Sequence, residues 1–183
     1  ALGQGKPLPR RISLVGHSMG GLVARSAERH ARAAASGWHG RLRDLVLLGA
    51  PNDGAPLERL GRTFEQVLGG TPFARHFTRV GALRSRGILD LGDGRLGDGP
   101  DAAPPSALRR LAIAGLLSRT PGRAGAGMLG DGLVPLDSAL GRRAFAAAQQ
   151  SLADESVAAG CGHLQLLRSR QVRERIIGWL GSA

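Results

Sequence analysis

The chain has 183 residues, a formal net charge of +11 and 42% hydrophobic residues, enough for one domain with a buried core. No apolar run reaches the ~20 residues of a membrane span and no signal-peptide core opens the sequence, which slightly favours the cytoplasm for the residues given. Arginine supplies nearly all the positive charge and is scattered, there is no Tyr, and aromatics are 3%, a pattern that speaks against a nucleic-acid surface with stacking platforms.

Residues 1–10 are rich in Gly and Pro and read as a loop. Arg11 to Val15 form a short apolar run that fits a buried parallel strand. After the turn at Gly16-His17-Ser18, residues from Met19 to about Ala35 favour helix, with Gly37 as a stop. Trp38-His39-Gly40 make a loop, and Leu42 to Gly49 carry a second strand. Strand, helix and strand over this length form a βαβ unit, whose crossover is right-handed by rule. Gly49 to Pro56 make a turn.

Residues 57 to about 105 lack sheet periodicity. Helical stretches at 57–68 and 73–83 and a loop at 92–105 suit an insertion, 52–105 in all, that serves as a lid or cap. Leu60, Val67, Leu68, Phe73, Phe77 and Leu83 would give it an apolar surface. Its Asp-Gly pieces lack the ligand spacing of a calcium loop, so no metal is assigned.

Leu108 to Leu117 read as a third strand, and Gly130-Asp131-Gly132 as a turn beyond it. Residues 139–150 suit a helix and Glu155 to Ala159 a last strand. Gly160-Cys161-Gly162-His163 is a turn, and Leu164 to Leu180 give an amphipathic helix. A single cysteine, Cys161, excludes an internal disulfide and a multi-cysteine metal site. It has a weaker framework than Ser18 for a nucleophile. The expected fold is a single α/β domain, a parallel sheet flanked by helices.

Gly16-His17-Ser18-Met19-Gly20 fits the G-x-S-x-G elbow, where a serine sits on a sharp strand-to-helix turn. The turn holds its backbone in a strained conformation. Gly16 and Gly20 would be small because they crowd each other beneath it. A serine becomes a good nucleophile only when a base takes its proton, and the base works better when a carboxylate orients it. His163 is the candidate base and Asp131 the candidate acid. The order Ser18, Asp131, His163 is that of the α/β-hydrolases, and each residue lies just past a strand, where loops converge on one sheet edge.

Asp137 starts the next helix, and Asp154 falls at the wrong sheet edge. His17 cannot easily reach back to Ser18, while His30, His39 and His76 lie in a helix, a loop and the insertion. The Met19 N–H would serve a developing oxyanion. In α/β-hydrolases the second donor comes from a loop after an earlier strand, and nothing in residues 1–10 can be that loop.

The segment from Gly16 to Arg25 resembles the elbow of bacterial α/β-hydrolase lipases and esterases, particularly the GPI inositol-deacylase-like group. Leu48 to Pro56 is similar to that group's Gly-Thr-Pro-His-x-Gly segment, with Ala50 and Asn52 as departures. Gly130 to Pro135 and Gly162-His163-Leu164 resemble its acid and base segments. The resemblance spans the chain but only the second half of the family fold, so the N-terminal strands of the usual sheet are expected to be missing. Residues 1–183 alone are then expected to be poorly soluble or inactive.

By resemblance, Ser18, Asp131 and His163 are nucleophile, acid and base of an esterase or lipase that needs no cofactor. The implied substrate is a small-molecule or lipid ester, with transient contact to a membrane surface for the latter. The alternative reading is a catalytically incomplete hydrolase-like module that binds a partner.

Overall fold

The computed structural model describes residues 9–54, 108–120, 130–147 and 154–182. The insertion placed at 52–105, with its apolar side chains, lies outside the described residues from 55 onward.

Among the described residues, four strands form one parallel sheet in sequential order: β1 (Ile12–His17), β2 (Leu42–Leu48), β3 (Arg109–Leu116) and β4 (Asp154–Ala159). From Leu45 and Leu111 onward the central two are apolar runs because both of their faces are covered. Alternation within β2 shows it. Leu45 and Leu47 join a core with Ala112, Ala114, Leu140 and Phe145. Val46 and Leu48 join the opposite core with Ile113, Leu166, Val172 and Trp179.

Helix α1 (Met19–Ala33) follows β1 directly. Beyond β3 the expected helix at 139–150 is two short ones, α2 (Leu136–Leu140) and α3 (Arg142–Ala147). Gly141 breaks them with φ 69°, and a Cβ there would lie 2.6 Å from the Phe145 ring and 2.9 Å from Asn52 Cβ. Trp38-His39-Gly40, expected to be a loop, leads into a short 3-10 turn, His39–Arg41.

The last helix, α4 (Arg170–Gly181), starts later than its apolar pattern suggests. Ser169 caps it by accepting from the Val172 N–H at 3.4 Å. Leu164–Leu167 form a separate 3-10 turn. Side-chain oxygens of Ser are favoured caps, and here the cap overrides the periodicity. Among the described residues, no helix is long and apolar enough to cross a membrane.

The amino-terminal ends of the strands are fastened by Asp44, which is 0% exposed. Its carboxylate accepts from Arg11 at 2.8 Å, Arg109 at 2.8 Å and the Ser13 hydroxyl at 2.6 Å. The Arg109 guanidinium also lies 4.3 Å from the centre of the Trp179 ring, which couples the knot to α4. Burial pushes the Asp44 carboxyl up, but the Ser13 bond and the Arg109 and Arg11 guanidiniums outweigh it, and its pKa is lowered.

Asp44→Ala strips three partners from a buried group and is expected to cost about 3 kcal/mol, measured by denaturant unfolding at neutral pH. Because the folded pKa is lowered, this contribution is present above the ordinary carboxylate value of about 4 and is lost as pH falls through the folded value. The gap between wild type and variant should therefore close in acid.

Candidate active site

Four turns meet at the carboxyl ends of the strands. β1 runs into Ser18, whose backbone has φ 54° and ψ −130°. A positive φ at a non-glycine residue costs of order 1–3 kcal/mol and persists only where its surroundings impose it. Here the Ser18 N–H donates to the Leu48 carbonyl at 2.8 Å and the Gly21 N–H donates to the Ser18 carbonyl at 2.9 Å. The serine is thus pinned between the end of β2 and the first turn of α1. Met19 opens α1, so its N–H has no acceptor inside the helix.

The glycines beneath the elbow are not the pair expected. A Cβ on Gly16 would lie 2.6 Å from both the Gly20 carbonyl oxygen and Gly21 Cα, whereas a Cβ on Gly20 would meet nothing within 4 Å. Gly21 is the second tight position, 2.5 Å from Ala50 Cβ. The helix turns Gly20 outward and sets Gly21 against the end of β2. The requirement read at Gly20 therefore belongs to Gly21.

Asp131 follows Gly130, which has φ 51°. The Asp131 Oδ1 accepts from the N–H groups of Leu133 at 3.0 Å and Val134 at 2.9 Å, a side-chain-closed turn that fixes the carboxylate. Its Oδ2 accepts from His163 Nδ1 at 2.7 Å. The His163 N–H donates in turn to the Asp131 carbonyl at 3.1 Å. Asp131 is 3% and His163 5% exposed, so this charged hydrogen bond is made away from water and is stronger for it. With Nδ1 engaged as a donor, a neutral His163 leaves Nε2 as the unprotonated ring nitrogen.

Two strand-end glycines, Gly49 and Gly115, make room for this pair. A Cβ on Gly49, at φ 51°, would lie 3.0 Å from Asp131 Oδ2 and 3.2 Å from His163 Nδ1. One on Gly115 would lie 2.8 Å from Asp131 Cβ and 2.7 Å from the Cys161 carbonyl. Gly49 also follows Leu48, the residue that holds the Ser18 N–H, so the elbow and the Asp131–His163 pair meet at the end of β2.

By its place in the sequence His17 cannot easily reach back to Ser18. It reaches across instead, and its Nε2 lies 3.1 Å from the His163 carbonyl oxygen. Asp137 is in α2, and Asp154 opens β4 and accepts from Trp179 Nε1 at 2.5 Å. Cys161 is buried, and burial raises its thiol pKa, with the nearby Asp131 adding to the rise. Such a thiol is poorly disposed to ionise.

Asn52, the departure noted in the turn after β2, is 0% exposed. Its amide donates to the Ala139 carbonyl at 2.9 Å, and its Oδ1 accepts from Arg25 at 3.1 Å. It is a strut joining α1, the β2 turn and α2. Asp53 adds to it by accepting from the Ala144 N–H at 2.7 Å. Among the described residues, no group of three or more His, Cys, Asp or Glu side chains is placed to hold a metal ion.

Residues 2–71 match the family model of the PGAP1-like alpha/beta domain. No curated protein matches the sequence. A solved structure, the meta-cleavage product hydrolase of Pseudomonas fluorescens IP01, aligns at 17% identity with a TM-score of 0.44, over 92% of this chain and 63% of that one. The chain thus spans less than two thirds of the solved protein it matches. With its sequential parallel sheet and its strained serine turn, the chain has an α/β-hydrolase-type fold, and its residues 2–71 are similar to the PGAP1-like alpha/beta domain.

Proposed function

We propose that the protein is a serine hydrolase that cleaves carboxylic esters through an acyl-enzyme. The observation that carries this reading is the buried 2.7 Å bond between Asp131 and His163 Nδ1, held where the strained Ser18 turn meets β2. A structural turn has no use for a buried carboxylate–imidazole pair beside it, whereas a serine nucleophile activated by a histidine uses one.

In this reading the Ser18 hydroxyl oxygen attacks the ester carbonyl carbon as its proton passes to His163 Nε2. The carbonyl oxygen gains charge and accepts from the Met19 N–H, aided by the positive end of α1. Asp131 holds the imidazolium that forms. His163 then gives the proton to the departing alkoxy oxygen, and the C–O bond breaks to leave the alcohol and an acyl-Ser18 ester. Water attacks that ester with His163 as base again, releasing the acid and restoring the Ser18 hydroxyl.

A fluorophosphonate is the direct test. It phosphonylates a serine only when a base has activated it. The expected result is one adduct per chain, on the peptide that carries Ser18, formed more slowly when a short ester substrate is present in excess. No adduct, or an adduct on another serine, would sink the assignment.

A further inference from the structure

The proposed reaction gives His17 no role, yet this side chain makes a specific contact inside the site. Its Nε2 lies 3.1 Å from the His163 carbonyl oxygen, across 146 residues of sequence. The two imidazole rings are 4.6 Å apart and tilted by 42°. A carbonyl only accepts, so Nε2 must carry the hydrogen. Burial lowers the His17 pKa and the neighbouring His163 lowers it further, against the opposing pull of the His163 carbonyl bond and of Asp131. A neutral imidazole has one N–H, and here that donor serves the His163 carbonyl.

His163 is otherwise held from the acid's side. Its ring Nδ1 and its backbone N–H both go to Asp131. Those bonds fix the histidine relative to the turn after β3. They do not fix it relative to Ser18, which belongs to the turn after β1.

We propose that His17 is a positioning residue, whose Nε2–H ties the elbow to the loop carrying His163 and so sets the base at its working distance from Ser18. The catalytic consequence rests on the serine-hydrolase reading; the tie itself does not. Reacting groups misplaced by about 1 Å lose on the order of 100-fold in rate.

Two variants separate the donor from the ring. His17→Phe keeps an aromatic ring and loses the N–H, while His17→Gln offers an amide N–H in its place. With p-nitrophenyl acetate, H17F is expected to lose about 10- to 100-fold in kcat with KM nearly unchanged. H17Q should stay within about fivefold of wild type. In parallel, the His163 Nδ1 proton signal in NMR should broaden and exchange faster in H17F and remain sharp in H17Q.

A wild-type kcat in H17F, or equal losses in both variants, overturns the proposal. If the wild-type protein neither hydrolyses the ester nor takes up the phosphonate, the hydrolase reading falls. The His163 proton signal then decides the positioning role alone, and an unchanged signal in H17F overturns it.

Discussion

Replacing Ser18 by Ala is expected to lower ester hydrolysis by on the order of 10^6 in kcat, and Asp131→Asn by about 10^4. The second loss follows from the bonds around the carboxylate. Oδ1 is committed to the N–H groups of Leu133 and Val134. An asparagine would keep its carbonyl oxygen there and present its amide nitrogen where Oδ2 now accepts from His163 Nδ1. That nitrogen is a donor, so His163 would turn to the tautomer with Nδ1 bare and Nε2 protonated. A protonated Nε2 cannot take the Ser18 proton. The shape of the turn is preserved, so melting should change little while kcat collapses.

Residues that act as a unit are not additive, and the double variant S18A/D131N should be no slower than S18A alone. Initial rates on a short p-nitrophenyl ester, with melting curves on the same preparations, measure all three. An Asp131→Asn variant within about tenfold of wild type would break the link between the buried pair and the chemistry.

What the sequence discloses of this fold is what is local and periodic. Leu-Val-Leu-Leu in β2 and Leu-Ala-Ile-Ala in β3 announce strands covered on both faces, and their observed bounds lie within two residues of the expected ones. Asp131 and His163 meet because each sits on a turn just past a strand. Parallel neighbours carry those turns to one edge of the sheet.

What escapes the sequence depends on partners distant in the chain. The room made by Gly49 and Gly115 is needed only because Asp131, Cys161 and His163 arrive above them. The reach of His17 ends on a carbonyl at the other end of the chain. Asn52 stands in the sequence only as a departure from the segment it resembles, and the arrival of Arg25 and Ala139 makes it a strut. At α4 the apolar stripe runs on through Leu164–Leu167, and periodicity alone cannot weigh it against the Ser169 cap.

The elbow supplies the sharpest stability test, because three nearby glycines have different surroundings. Gly16→Ala is expected to cost about 3 kcal/mol or more, since the new methyl would stand 2.6 Å from backbone atoms of Gly20 and Gly21, and backbone gives way less readily than a side-chain tip. Gly21→Ala should cost a similar amount, because its methyl would stand 2.5 Å from Ala50 Cβ and 3.3 Å from Leu47 Cδ2, in the apolar layer between α1 and β2.

Gly20→Ala should go the other way. The position is exposed and lies in the first turn of α1, and a Cβ there meets nothing within 4 Å. Alanine loses less backbone entropy than glycine on entering a helix, which favours the variant by up to about 1 kcal/mol. For a domain of this size, 1 kcal/mol moves the melting midpoint by about 2–4 °C. The two tight positions should therefore melt at least about 6 °C below wild type, with Gly20→Ala level with it or slightly above. A Gly20→Ala variant as unstable as Gly16→Ala would return the steric demand to the pair two before and two after the serine. The expected order would instead place that demand at Gly16 and Gly21, where the backbone of the turn meets the end of β2.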